Sequence, residues 1–153
     1  MFKRKRLSRQ LTCIGMMALL AGASTAQAHS TSDVMDRNAN NAHFTGLARV
    51  TCFNDGSGNA TYLNARVRDT SAPVPGLLVN LQLLKGGMAI STTDTVSGDA
   101  SYTNYIALPG GNGVYYIVLN KTAAGARSFD LEWHCTTADG VHTGTDIIVD
   151  QFQ

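Results

Sequence analysis

Phe129, Leu131, Trp133 and Cys135 alternate strictly with Asp130, Glu132 and His134 near the end of the chain. A period of two sends successive side chains to opposite sides of an extended backbone, so this stretch can bury one face of a strand but not one side of a helix. The turn pair Asp139-Gly140 follows, and then a second alternation with Thr143, Thr145, Ile147 and Val149 on one side. Read together, 129–150 is expected to be a closing hairpin. An odd register keeps both apolar sets on one face, because a one-residue slip would mix them with Asp146 and Asp150. The opposite face is then expected to gather Asp130, Glu132, His134, His142, Asp146 and Asp150, two imidazoles among several carboxylates.

The same period runs through the chain before it. Ala48, Val50 and Cys52 share one side, as do Thr61, Leu63, Ala65 and Val67, and then Val79, Leu81 and Leu83. The short turn Asp55–Gly58 makes 48–69 read as a second hairpin. Met88–Thr95 is Thr-rich and suits a sheet edge. Tyr102–Leu108 reads as a further strand, and Val114–Asn120, apolar on both parities, predicts a central strand covered on both faces. Gly-, Pro- and Asp-bearing turns separate these runs, and no stretch after residue 28 carries a helical period. Seven or eight short strands without crossover helices predict an all-β chain, an antiparallel β-sandwich.

The first 28 residues follow a different logic. Lys3, Arg4, Lys5, Arg6 and Arg9 precede the apolar run Leu11–Ala21, and Ala26-Gln27-Ala28 is a small-x-small cleavage signal. That order defines a secretory signal peptide over 1–28. The apolar run is shorter than the about 20 residues a spanning helix needs, so no membrane span is expected in the mature chain. Cleavage would leave a polar N-terminal arm over 29–44, extended or poorly ordered, and a sandwich domain over 45–153. Localisation is expected to be exported, periplasmic or extracellular. From His29 on, seven basic residues face eleven acidic ones, a net charge of −4. A mildly acidic domain without basic clusters argues against nucleic acid as a partner.

Export leaves two cysteines, Cys52 and Cys135, and an even count in an oxidising compartment favours a disulfide. No CxxC pair offers a thiolate metal site. One cysteine sits in an early strand and the other in the penultimate one. This placement resembles the inter-sheet bridge of immunoglobulin domains. The resemblance implies an immunoglobulin-like sandwich with the bridge in its core.

Nothing in the chain supports hydrolytic catalysis. There is no G-x-S-x-G elbow, and a disulfide leaves no thiol nucleophile. The leading expectation is a non-catalytic β-sandwich for binding or surface structure, with no cofactor and a protein or glycan partner. Phe53, Tyr62, Arg49, Arg66 and Arg68, expected on one outward face, have the aromatic-plus-arginine composition of such a contact. The alternative is copper. Cleavage after Ala28 makes His29 the first residue, whose α-amine and imidazole together chelate Cu(II) well. The run Trp133–Gly144 is also similar to a segment of the periplasmic copper-binding CopC-like family, small β-sandwiches with an N-terminal His. The resemblance implies His29, Asp139 and His142 as copper ligands. Here the segment reads DGVH where the family has DGH, which turns His142 to the other face.

Overall fold

The computed structural model describes residues 29–153, so the leader read over 1–28 lies outside the described residues. Nine strands carry the alternations: β1 (His29–Met35), β2 (Thr45–Phe53), β3 (Tyr62–Asp69), β4 (Val79–Lys85), β5 (Met88–Asp94), β6 (Ile106–Pro109), β7 (Gly113–Lys121), β8 (Arg127–Thr136) and β9 (His142–Phe152). Every pairing is antiparallel. Among the described residues there is no helix, and none that could cross a membrane. The strands form two layers, β5-β4-β7-β2-β9 and β1-β8-β3-β6, joined where β9 passes from β8 to β2, so the sandwich approaches a closed barrel.

The inward parity read from the sequence is the core. Val50, Leu63, Val67, Val79, Leu81, Leu83, Phe129, Leu131 and Trp133 are all buried, and Tyr115 and Ile117, from the strand apolar on both parities, join them. The Cys52–Cys135 disulfide lies among them with its Cα atoms 5.6 Å apart, tying β2 in one layer to β8 in the other. This is the immunoglobulin-like feature of the sandwich.

The pairing of neighbours departs from the sequence reading in several places. The stretch 48–69 is not a hairpin: β2 pairs with β7 and β9, and β3 with β6 and β8, so 54–61 crosses between layers. Gly56 and Gly58 both take positive φ there (108° and 119°), a backbone open to glycine, while the Asn54 side chain accepts from both of their N–H groups. Thr143 Oγ1 stands 3.0 Å from the Phe53 carbonyl and 2.7 Å from that of Gly58, fastening the crossing to β9.

The closing hairpin is also shorter than expected. Only Cys135↔Thr143 and Thr136↔His142 pair before β9 moves across to β2. Gly144 permits the departure, since a Cβ there would stand 2.4 Å from the Phe53 ring. The vacated edge of β8 is taken by β1, so the first half of the polar arm is a strand. Its serines need no burial, because main-chain hydrogen bonding to β8 supplies the pairing. Where β1 and β9 diverge, an apolar cleft opens, lined by Leu131, Ile147, Val149 and Phe152. Val149, expected inside, is 64% exposed. It faces Ala48 while Gln151 faces Leu47, which leaves Asp150 as the extra residue of a β-bulge. Strand β7 is central, between β4 and β2, but only one of its faces is covered. The expected strand over 102–108 contracts to β6, and Tyr102 and Tyr105 belong to the segment leading into it.

The link from β1 to β2 is anchored by a buried ion pair. Lys121 Nζ lies 2.8 Å from Asp36 Oδ2 and also donates to the Asn41 and Ala123 carbonyls. Asp36 accepts from the N–H groups of Asn40, Asn41 and Gly125 as well. Burial alone would raise its carboxyl; the hydrogen bonds outweigh it and hold the group well below its ordinary 3.8. A depressed folded-state value means that the Asp36 contribution is complete above 3.8 and is lost as pH falls below it. Asp36→Asn is therefore expected to be less stable than wild type at neutral pH and to lose less on acidification. Urea midpoints measured from neutral pH down into the carboxylate range check this; parallel curves for the two proteins would refute it.

Candidate functional site

The outer face of the β1-β8-β3-β6 layer is built by register. Arg68 stands opposite Asp130, Arg66 opposite Glu132 and Asn64 opposite His134. Alternation sends all six outward, where the opposite charges meet: Arg68–Asp130 and Arg66–Glu132 each close to 2.6 Å. Ser32 of β1 donates to Asp130 from the other side. The segment before β6 covers this ladder. The Tyr102 ring lies 4.3 Å from the Arg66 guanidinium carbon and 4.4 Å from that of Arg68, and Tyr105 lies 4.4 Å from that of Arg66. The Tyr105 hydroxyl donates to Glu132. Burial, with the Glu132 hydrogen bond and charge, pushes that phenol up to about 12. Burial would raise Glu132, but the Tyr105 and Arg66 hydrogen bonds prevail and keep it below its usual range.

His134 ends the ladder at a junction in the sheet. Along one edge of β8, residues 127–133 pair with β1 and residues 135–136 with β9, so His134 is the residue between the two strand ends. His29 stands opposite Trp133 on one side of the gap, and His142 opposite Thr136 on the other. The His134 and His142 rings stack with centroids 4.3 Å apart and planes 21° from parallel, and Tyr105 meets His134 edge-on at 5.2 Å. Burial pushes the His134 imidazole down to about 4, helped by the neighbouring His142 and opposed by Glu132. The ring is therefore neutral at physiological pH and offers a lone pair. The Nδ1 atoms of His29 and His134 are both buried without a hydrogen-bond partner.

The expected six-residue polar face is thus divided. Asp130, Glu132, His134 and His142 stay on this layer, whereas Asp146 and Asp150 leave with β9, where Asp150 pairs with Arg49 at 2.7 Å. Of His29, Asp139 and His142, the two histidines flank the junction and Asp139 sits on the exposed turn between β8 and β9. Among the described residues, no three His, Cys, Asp or Glu side chains already form a ligating group.

The aromatic and arginine residues assigned to one face also separate. Tyr62, Arg66 and Arg68 belong to the ladder just described, and Arg49 and Phe53 to the outer face of the other layer. There the register aligns Leu84, Tyr116, Arg49 and Ile148 in one cross-strand row. Val114 (43% exposed), Tyr116 (41%), Ile148 (52%) and Phe53 (44%) present apolar side chains to solvent on this face, among Arg49, Thr51 and Asp146. Its signal was present in the sequence as the double apolar parity of 114–120. The role of Tyr102 and Tyr105 had no such signal, since the segment carrying them has no period. Neither a protein-family model, nor a curated protein, nor a solved structure matches this chain.

Proposed function

We propose that the protein is an exported, non-catalytic binding domain, and that its contact surface is the outer face of the β5-β4-β7-β2-β9 layer. The observation that carries this reading is the exposed set Val114, Tyr116, Ile148 and Phe53 around Arg49. Exposed apolar and aromatic side chains grouped around an arginine on one sheet face suit a protein contact, since tyrosine and arginine are enriched in such contacts. The Arg49 charge is already answered by Asp150, so covering the face does not strand an unpaired cation. This composition favours a protein over a glycan partner. The leader pattern and the disulfide support export.

A photo-crosslinking residue at position 116 or 148, introduced in the native host, is expected to give a discrete adduct. The same residue at Ser30, exposed on β1 in the opposite layer, is expected to give none. Ile148→Glu should abolish the adduct from position 116 while changing folding stability by only about 0.5 kcal/mol, as exposed substitutions do. Equal labelling from all three positions would overturn the assignment.

A further inference from the structure

We propose that the seam between β1 and β9 accepts one extended segment of a partner protein, a strand with apolar side chains at alternate positions and a basic residue beside Asp33. The seam is independent of the outer-face contact, because none of Val114, Tyr116, Ile148, Phe53 and Arg49 lines it.

The seam is where the barrel fails to close. β1 and β9 both run antiparallel to β8 and lie next to each other on its edge, His29 opposite Trp133 and Thr143 opposite Cys135. β9 then leaves for β2, and over nearly all of their length the Cα atoms of β1 and β9 stay more than 8 Å apart. Hydrogen-bonded strands lie about 4.8 Å apart, so β1 and β9 cannot pair, and the gap admits one strand between them. Phe129, Leu131 and Ile117 form its floor, with Val149 on one wall and Thr31 and Asp33 on the other. The cleft holds about 170 Å³. An apolar cavity of roughly 150 Å³ takes up a benzene ring, so this one accepts a large apolar side chain.

The main chain shows what the seam lacks. The Ser128 and Thr136 carbonyls accept on the β3 side of β8, so the odd-numbered residues of β8 bond to the odd-numbered residues of β1, and Val34 turns outward to the seam. Thr45 and Gln153 exchange both of their hydrogen bonds, so alternation along β2 turns the main chain of Ile147 away from β2 and into the same seam. No strand answers either N–H. Each donates instead to the carboxylate of the residue before it, Val34 to Asp33 at 2.7 Å and Ile147 to Asp146 at 2.9 Å. A strand laid in the seam supplies carbonyls in their place and gains main-chain bonds on both of its edges, as an extended peptide does when it completes a sheet. Neither β1 nor β9 carries the lysine or proline that commonly closes a free edge, and the bulge of β9 comes only after Val149.

These features define the occupant. A small apolar ligand would fill the cleft and leave both edges unpaired, whereas a strand answers both needs. Charge narrows the choice further. Asp33 is the one charged residue lining the cleft, and Arg37, which pairs with it, is largely exposed. A lysine or arginine in the incoming strand is attracted there and an acid is repelled. Ser30 lies short of the cleft and directs its side chain to the outer face with Glu132, clear of the strand.

The test is selection of peptides from a random display library on the purified protein, followed by titration of the selected sequence as a synthetic peptide. Selected sequences are expected to place apolar residues at every second position and to carry a lysine or arginine. Val149→Glu, at an exposed position, should weaken the peptide tenfold or more, while Ile148→Glu, one residue away on the outer face, should leave it unchanged. N-methylation of alternate peptide amides, which leaves the protein untouched, should abolish binding. Amide exchange at Val34 and Ile147 should slow tenfold or more in the complex. Asp33→Lys should reverse the charge preference, favouring the peptide with glutamate in place of its basic residue. The proposal is overturned if no alternating sequence is selected, or if N-methylation has no effect, which would give the cleft to a small apolar ligand. It is equally overturned if Ile148→Glu weakens the peptide as much as Val149→Glu does, which would place the peptide on the outer face. Self-association of the protein that Val149→Glu abolishes would give the seam to a second copy and overturn it as well.

Discussion

Replacing Cys52 and Cys135 together by alanine is expected to lower the stability of the domain by about 4–5 kcal/mol, the loop-closure value for a bridge spanning 83 residues. Two features place the effect at the upper end. Both cysteines are fully buried, so the bridge is packed on every side and its loss also removes core contacts. The bridge also joins two layers whose strand ladders otherwise meet only through β9. A domain of this size has about 5–15 kcal/mol of stability in all, so the variant should sit near its unfolding threshold at growth temperature. Urea unfolding of the oxidised protein, the same protein with reductant, and the double variant measures the effect. The last two should coincide well below the first. A difference under about 1 kcal/mol would show that packing, and not the bridge, holds the layers together.

Arg127→Met is expected to cost about 3–5 kcal/mol, the usual penalty for leaving a buried charge without its partner. Arg127 and Asp69 are both buried, and Arg127 Nη1 lies 3.1 Å from Asp69 Oδ2 while also donating to the Ala72 carbonyl. A second buried carboxylate stands close by: the Asp69 N–H donates to Asp94 Oδ2 at 2.7 Å. Burial raises the Asp94 carboxyl, and the charges of Asp99 and Asp69 add to the rise. A raised folded-state value makes its contribution to stability present at low pH and lost as pH climbs through that value. Removal of the arginine leaves Asp69 without its ion-pair partner, beside the buried Asp94. The variant should therefore regain stability as pH falls into the carboxylate range, where Asp94, its carboxyl raised by burial, takes up its proton. Arg127→Met combined with Asp69→Asn should recover a large part of the loss at neutral pH. If the double variant is no better than the single one, the ion pair is not the source of the effect.

How much of this could be read in advance follows from what a period of two encodes. It gives the face of each residue, and so Cys52, Cys135, Trp133 and the inward residues of β2, β3, β4 and β8 could be named from parity alone, whereas Met35 and Phe44 of the arm could not. It does not give the neighbour. The alternation of 143–149 is the same whether β9 lies beside β8 or β2, and the choice rests on Gly144, the Thr143 contacts and the free edge of β2. The His134–His142 neighbourhood was legible because the Asp139-Gly140 turn fixes the first pairs after it. Asp146 and Asp150 were misplaced because the change of layer comes immediately beyond those pairs. Strand β1 was hidden for the opposite reason. Its pairing is made by the main chain, and a polar sequence carries no record of that.

The placement of the bridge also determines how the protein would behave under tension. A chain drawn from its two ends can lengthen only outside the covalent link, through residues 29–51 and 136–153. The span from Cys52 to Cys135 is closed off, and with it β3 through β7. Stretching would peel β1 from β8 and draw β9 away from β2, leaving the bridged remainder at fixed length.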